Sequence, residues 1–451
     1  MEPFRMTIAQ ASSLVQSRTL SPVDLMESLL QRIERLEPHL KAWAYLDREK
    51  ALAAARRCEE EISTGHYRGP LHGIPIGVKD IFYTSDMPTS AAFAPLVNFV
   101  PTYDASAVSR LREAGAIIMG KTVTTQFAYS DPSPTRNPWN PAHTPGGSSS
   151  GSAVAVATSM CFGSLGSQTA GSTCRPASYN GIVGLKPTSG RISRYGVIPL
   201  AWSLDTVGVM ARSVEDTAIL LQAIAGFDPK DPATSSDPVP DYRFLFKELP
   251  RPPRLGLVRE FFFDTADEET RQHTEQVAQK LARAGATVEE LRLPESFRSL
   301  HQVSRLIINV EAAAVHRSLY ARYGAHYSRI LRTHIMAGMV VPASEYLRAL
   351  QHQRLYTRQM FALFQKADAI LVPSTPGPAP RDLSTTGDPA FQVPWTHGGF
   401  PSISIPSGLS RDGLPLGVQL ATPRFSEGRL LSVAHWAQSV LGVHLTPPDQ
   451  E

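Results

Sequence analysis

Residues 144–160 read TPGGSSSGSAVAVATSM, and the meaning of this stretch decides how the rest of the chain is read. Three glycines (Gly146, Gly147 and Gly151) and four serines (Ser148, Ser149, Ser150 and Ser152) lead without a break into a run of Ala and Val. A Gly/Ser cluster is ordinarily a flexible linker, but a linker seldom runs straight into so apolar a segment. A phosphate cradle at a helix N-terminus is a second reading; it lacks the lysine of GxxxxGK[ST] and the GxGxxG spacing. A third is a nucleophile elbow, because residues 147–151 fit G-x-S-x-G with Ser149 at the centre. That motif needs a strand immediately before it. The preceding NPWNPAHTP holds three prolines in nine residues and cannot be a central strand. Asp205 and His397 would be the acid and histidine of such a triad, on no better ground than their presence in a long chain. The elbow is therefore set aside.

A serine can also be activated by a neutral lysine. Lys79 ends the apolar run GIPIGV, which reads as a buried strand. Desolvation there would push its pKa down from about 10.4. On position alone, a lysine snorkelling to the surface or paired with Asp80 is the favoured reading.

The bulk composition narrows the function classes. The 451 residues are 42% hydrophobic and 19% charged, with 31 Gly and 37 Pro, so a large core must hold several irregular loops. A net charge of +3 with scattered basic residues gives no nucleic-acid groove and no polybasic membrane anchor. Three widely spaced cysteines (Cys58, Cys161 and Cys174) imply neither a disulfide framework nor a zinc site. With no apolar leader in MEPFRMTIAQASSLVQ and no run long enough to span a bilayer, the expected location is the cytoplasm.

Helical periodicity over residues 6–36 breaks before Ser21-Pro22, an N-cap followed by a first-turn proline. Residues 47–63 form another helix, and residues 106–122 a helix, a glycine stop and a buried strand. Residues 163–208 are dense in Gly, Ser, Pro and Thr and read as a loop-rich centre. The proline-spotted residues 228–253 are the best candidate for a boundary. Strand, helix and strand recur from RLGLVREFF to ATVEELRL; helices follow over 300–323 and 344–367; ADAILVP, FPSISIP and LGVQLAT close as strands before a helix over 427–441. Alternation of this kind predicts an α/β fold with a large mixed, mostly parallel sheet covered by helices on both faces.

Three blocks, GIPIGVKD, RNPWNPAHTPGGSSSGSA and GSLGSQTAGSTCRPASYNGIVGLKPTSGRISRYGVIPLAWSLDTVG, occur in that order. Together they closely resemble the amidase signature family, over roughly the whole chain. The resemblance implies an α/β/α sandwich in a single amidase domain: a helical segment (1–65), the signature core (66–227), a helical excursion lining the substrate pocket (228–367) and closing strands and helix (368–451). It also implies a Ser–cis-Ser–Lys triad, in which Lys79 is the base, Ser148 the relay behind a cis peptide bond, and Ser172 the nucleophile. Backbone N–H groups of Thr169, Ala170, Gly171 and Ser172 would make the oxyanion hole. Ser149, Gln168, Arg175 and Asp205 would support them: Arg175 bracing the nucleophile loop, Asp205 bracing a loop, Ser149 touching Lys79 or Ser148. Ser152 would serve as a helix N-cap or in the first turn, Cys174 as small filler, and His397 would lie near the acyl pocket.

Departures from the family pattern bear on substrate. Gln168 and Ala170 stand where many relatives carry Asp and Gly, Gln126 where Glu is common, and Asn180 where Cys is frequent. The QTAGS form occurs in free-standing bacterial amidases. The implied activity is hydrolysis of a small linear amide, extending to esters or carbamates, with no cofactor, no metal, no nucleic acid or membrane partner, and compatible with a homodimer. The alternatives are the amidase subunit of a tRNA-dependent amidotransferase, which releases ammonia from glutamine, and a urethane hydrolase on the same triad. Ile, Leu, Met and Tyr in the helices between about 300 and 350 suggest an apolar or aromatic acyl group.

Overall fold

The computed structural model describes residues 2–246 and 249–448. The boundary expected over 228–253 and the segment limits at 1 and 451 therefore lie partly outside the described residues. Among the described residues there are eleven strands: β1 (Trp43–Leu46), β2 (Pro75–Lys79), β3 (Ile117–Thr122), β4 (Gly163–Gln168), β5 (Val183–Lys186), β6 (Thr206–Ala211), β7 (Arg254–Leu257), β8 (Thr287–Glu290), β9 (Ala369–Pro373), β10 (Ser402–Leu409) and β11 (Pro415–Ala421). They form one sheet in the order β1-β3-β2-β4-β6-β5-β10-β11-β9-β7-β8. Helices pack against it, including Arg48–Ser63 on β3, Val214–Ile224 on β6 and Glu427–Leu441 on β10.

The sheet is mixed, as expected, but the expectation that it is mostly parallel needs correcting. Six of the ten pairings among these strands are antiparallel, and four, β2/β3, β2/β4, β7/β8 and β7/β9, are parallel. The reason lies in the short return between β10 and β11, which makes a hairpin, and in β6, which slots between β4 and β5 and runs against both. Residues 228–367 contribute β7 and β8 as well as helices.

The Gly/Ser stretch resolves into a loop and a core helix. Helix Ser150–Ala157 is buried at every position, as a short helix that is apolar or small all round must be. Val154 and Val156 are fully buried, each stabilising the fold by about 1.5–3 kcal/mol. The helix approaches the backbone beside β3 closely, because Gly151 lies against it. A Cβ there would stand 2.2 Å from the Ala42 carbonyl oxygen and 2.4 Å from the Val123 nitrogen. Gly151→Ala is therefore expected to lower the unfolding free energy by about 2–4 kcal/mol, read as a lower midpoint in urea denaturation.

The loop-rich centre expected over 163–208 instead holds β4, the short helix Cys174–Asn180, β5 and the start of β6, whereas several helix boundaries hold closely. Ser21 caps helix Pro22–Leu40 through the Val23 and Asp24 N–H groups, and Asp47 caps Arg48–Ser63. The helices expected over 300–323 and 427–441 run over those residues. Among the described residues no helix is long and apolar enough to cross a membrane.

Candidate active site

β2 and β4 are parallel neighbours, with Val78 opposite Leu165, so Lys79 and the end of β4 project from the same edge. In α/β sheets the carboxyl ends of parallel strands are where ligands bind. The Lys79 side chain is fully buried. Its Nζ lies 2.7 Å from Ser148 Oγ and 2.8 Å from Ser167 Oγ. Burial holds the Lys79 pKa well below the usual lysine range, and the Asp205 carboxylate pulls the other way. Lys79 is not paired with Asp80. That carboxylate instead lies 3.2 Å from Lys121 Nζ and accepts hydrogen bonds from Ser90. A lysine with only hydroxyl partners in a dry pocket can hold a lone pair near neutral pH.

Each serine of the cluster has its own task. The Gly147–Ser148 peptide is cis, and Ser148 Oγ faces Lys79. Ser149 touches neither Lys79 nor Ser148 among its hydrogen bonds. Its hydroxyl donates to the Ser167 carbonyl and accepts from the Ser167 N–H, both at 3.3 Å. Ser150 donates to the Gly146 carbonyl. Ser152 lies in the first turn rather than at the N-cap, which is Ser149, and bonds the Leu165 carbonyl and Thr122. The loop is thus tied to β3 and β4 on either side of Lys79.

Ser172 sits in the turn after β4, at the wall of an open cavity of about 360 Å³ together with Thr169, Ala170 and Leu200. The N–H groups of Ala170, Gly171 and Ser172 meet no protein acceptor among the described residues. The next two, from Thr173 and Cys174, both donate to Gln168 Oε1 at 3.0 Å. Gln168 Nε2 donates to Thr396 Oγ1 at 3.0 Å, and that hydroxyl donates to the Ala170 carbonyl at 2.8 Å. Gln168 thereby gathers one end of the turn while Thr396 holds its middle.

Asp205 is a brace. It accepts from Thr169 Oγ1 at 2.5 Å and from the Leu200 and Ala201 N–H groups; burial raises its pKa and these bonds lower it. Arg175 donates to the carbonyls of Gly147 and Gly387 and to Thr386 Oγ1, tying the Ser148 loop to the segment across the cavity.

Cys174 points away from the cavity, its Sγ near Gly184 and Ser402, and burial pushes the thiol up to about 11. His397 does not line the cavity. It is buried beside Tyr356 and His352, and burial lowers it to about 3. Gln126 joins the backbone at His326 and Ser328, and Asn180 donates to the Pro145 and Pro176 carbonyls.

Two functional-site residues escape the sequence reading. Ser167 precedes Gln168 in a stretch that reads as loop, and Thr396 lies far away in the chain beside the more conspicuous His397. Thr396→Val removes a hydroxyl that serves Gln168 and Ala170 together. The expected result is a loss of about 1–3 kcal/mol in stability, with a lower kcat, read from urea denaturation and steady-state kinetics.

The family model named Amidase matches residues 24–431. The chain belongs to the amidase family. The protein named Putative amidase AmiD of Mycobacterium tuberculosis is 40% identical over 98% of this chain and 96% of its own length. A glutamyl-tRNA(Gln) amidotransferase subunit from Desulfatibacillum aliphaticivorans is 35% identical, with both chains fully covered. The native peptide amidase of Stenotrophomonas maltophilia superposes with a TM-score of 0.88 at 31% identity, covering 99% of each chain. This amidase is therefore an amide-hydrolysing enzyme with the amidase fold.

Proposed function

We propose that this amidase hydrolyses small linear amides, and by the same chemistry esters or carbamates, through an acyl-enzyme on Ser172. The observation that carries the reading is the buried Lys79 with Ser148 Oγ 2.7 Å from its Nζ. Neutral Lys79 accepts a proton from Ser148 while an N–H of Nζ donates to Ser167. Ser148 takes the proton of Ser172, whose Oγ attacks the amide carbonyl. The unpartnered N–H groups of Ala170, Gly171 and Ser172, with that of Thr169, receive the oxyanion. One such donor is worth about 10²–10³ in rate in other enzymes. Collapse breaks the C–N bond, and the proton held on Lys79 returns through Ser148 to the leaving amine. Water then attacks the acyl-enzyme with the same groups in reverse, releasing the acid and restoring the Ser172 hydroxyl.

A second reading is favoured by the amidotransferase relative that aligns along its full length. In it, the same triad releases ammonia from glutamine for a partner. The test is a panel of aliphatic amides, anilides, carbamates and glutamine given to the purified chain. Unaided turnover of amides or anilides is expected, with a fluorophosphonate labelling Ser172. Activity confined to glutamine, and appearing only with partner subunits, would replace the leading reading with the second.

A further inference from the structure

The cavity beside Ser172 is more cationic than the apolar helix composition suggests. Met336, Met339 and Leu347, which belong to the composition that points to an apolar acyl group in the sequence, are exposed and do not line it. Part of its wall is one face of helix Leu300–Tyr323. His301, Ser304, Arg305 and Ile308 follow one another at the i, i+3, i+4, i+7 spacing that shares a helix face, and all four border the space.

Arg305 makes no ion pair or hydrogen bond among the described residues, unlike most arginines of the chain. Its charge nonetheless reaches three walls of the cavity. It pulls Tyr129 down against the effect of burial, and it adds to the burial that lowers His334 and opposes Asp388 at His301. The second guanidinium, Arg175, is occupied by two carbonyls and a hydroxyl. Among the described residues Asp388 is the one carboxylate on the wall, and its Oδ1 already accepts the Ala390 N–H. A free guanidinium at the rim of a small cavity, with the Ser304 hydroxyl on the same helix face, is an incomplete carboxylate site.

We propose that Arg305 is a specificity-determining residue of this cavity, selecting amides that carry a carboxylate a few bonds from the scissile carbonyl. The guanidinium fork meets the carboxylate while the reacting carbonyl lies at Ser172, so the acid fixes the register of the amide in the cavity. Ser304, on the same helix face within one turn of Arg305, completes the polar end, while the Nε2 of His301 is engaged by the Ala390 carbonyl. The inference rests on the amidase reading above for the position of the scissile bond.

The test separates the two. In the full chain carrying Ser172→Ala, calorimetry measures binding of the half-amides of succinic, glutaric and adipic acids against the matching diamides. At least one half-amide is expected to bind about tenfold more tightly than its diamide. Adding Arg305→Ala should erase that difference, Arg305→Lys should keep part of it, and Arg305→Glu should reverse it. Half-amides binding no more tightly than diamides, or a preference that survives Arg305→Ala, overturns the proposal. Turnover of the same amides by the unsubstituted enzyme reports separately on the acyl-enzyme reading, because binding to the Ser172→Ala chain does not depend on which group attacks.

Discussion

Replacing Ser172, the proposed nucleophile, with alanine is expected to lower amide turnover by about 10⁴-fold or more, as removal of a nucleophile does in other serine hydrolases. The same change should abolish fluorophosphonate labelling. Misfolding does not confound the substitution, for a physical reason: Ser172 lines open space, and the turn is held by Gln168, Thr396 and Asp205, none of which uses the Ser172 side chain. Ser149→Ala is the informative companion. Ser149 is the centre of the G-x-S-x-G pattern, yet its hydroxyl bonds only the Ser167 backbone, so labelling of Ser172 should persist in that variant. Loss of labelling in Ser149→Ala with retention in Ser172→Ala would move the nucleophile back into the Gly/Ser loop.

The contrast between those two serines also marks what the sequence can disclose. The loop is legible as functional because glycines and serines run directly into a segment too apolar to be a linker. Its chemistry is legible only once three separated blocks are taken together. The strand containing Ser167 is not. β4 reads GSLGSQ, with Leu165 as its only large apolar residue, although all six positions are buried. Small residues are required there because neighbours press close: a Cβ on Gly163 would stand 2.7 Å from Leu220 Cδ1, and one on Gly166 3.0 Å from Ser149 Oγ. Such a strand carries no alternation for a sequence reading to find, so the centre of the sheet reads as loop. Thr396 is hidden differently. It acts on Ala170 across 226 positions of sequence, and nothing local distinguishes it. The helix ends, set by Ser21, Asp47 and the glycine after Leu441, are legible because capping is a local property.

The direction of sheet pairing fails for a related reason. Helix and strand alternation predicts parallel neighbours only when each crossover returns to the adjacent position. Here β6 returns between β4 and β5 after residues 187–205, whose course no periodicity announces. The parallel pairing β2/β4 is the one that brings Lys79 beside Ser167, while β2/β3 sets Lys79 opposite Thr122.

On the proposed mechanism, Lys79→Met should cost about as much activity as Ser172→Ala, because without a base neither serine would be deprotonated. Lys79→Arg should be nearly as inactive, since a guanidinium keeps its proton at any working pH; retention of activity there would mean that a positive charge, rather than a lone pair, is what the site needs. For the unsubstituted enzyme, kcat/KM should fall as the pH drops through the depressed pKa of Lys79 and level off above it. Stability should carry the same signature. The folded pKa of Lys79 lies well below the usual lysine range, whereas the unfolded chain titrates this group near about 10.4. Between those two values the unfolded chain binds a proton that the native state does not, so the Lys79 contribution to stability rises with pH. It rises by up to about 1.4 kcal/mol per pH unit. Below the folded pKa both states are protonated and the contribution is constant. Lys79→Met lacks this dependence, so urea denaturation at several pH values should show the unsubstituted enzyme gaining on the variant as the pH rises toward about 10. A difference that stays flat over that range would mean that Lys79 is charged in the folded protein, and the base would have to be sought elsewhere.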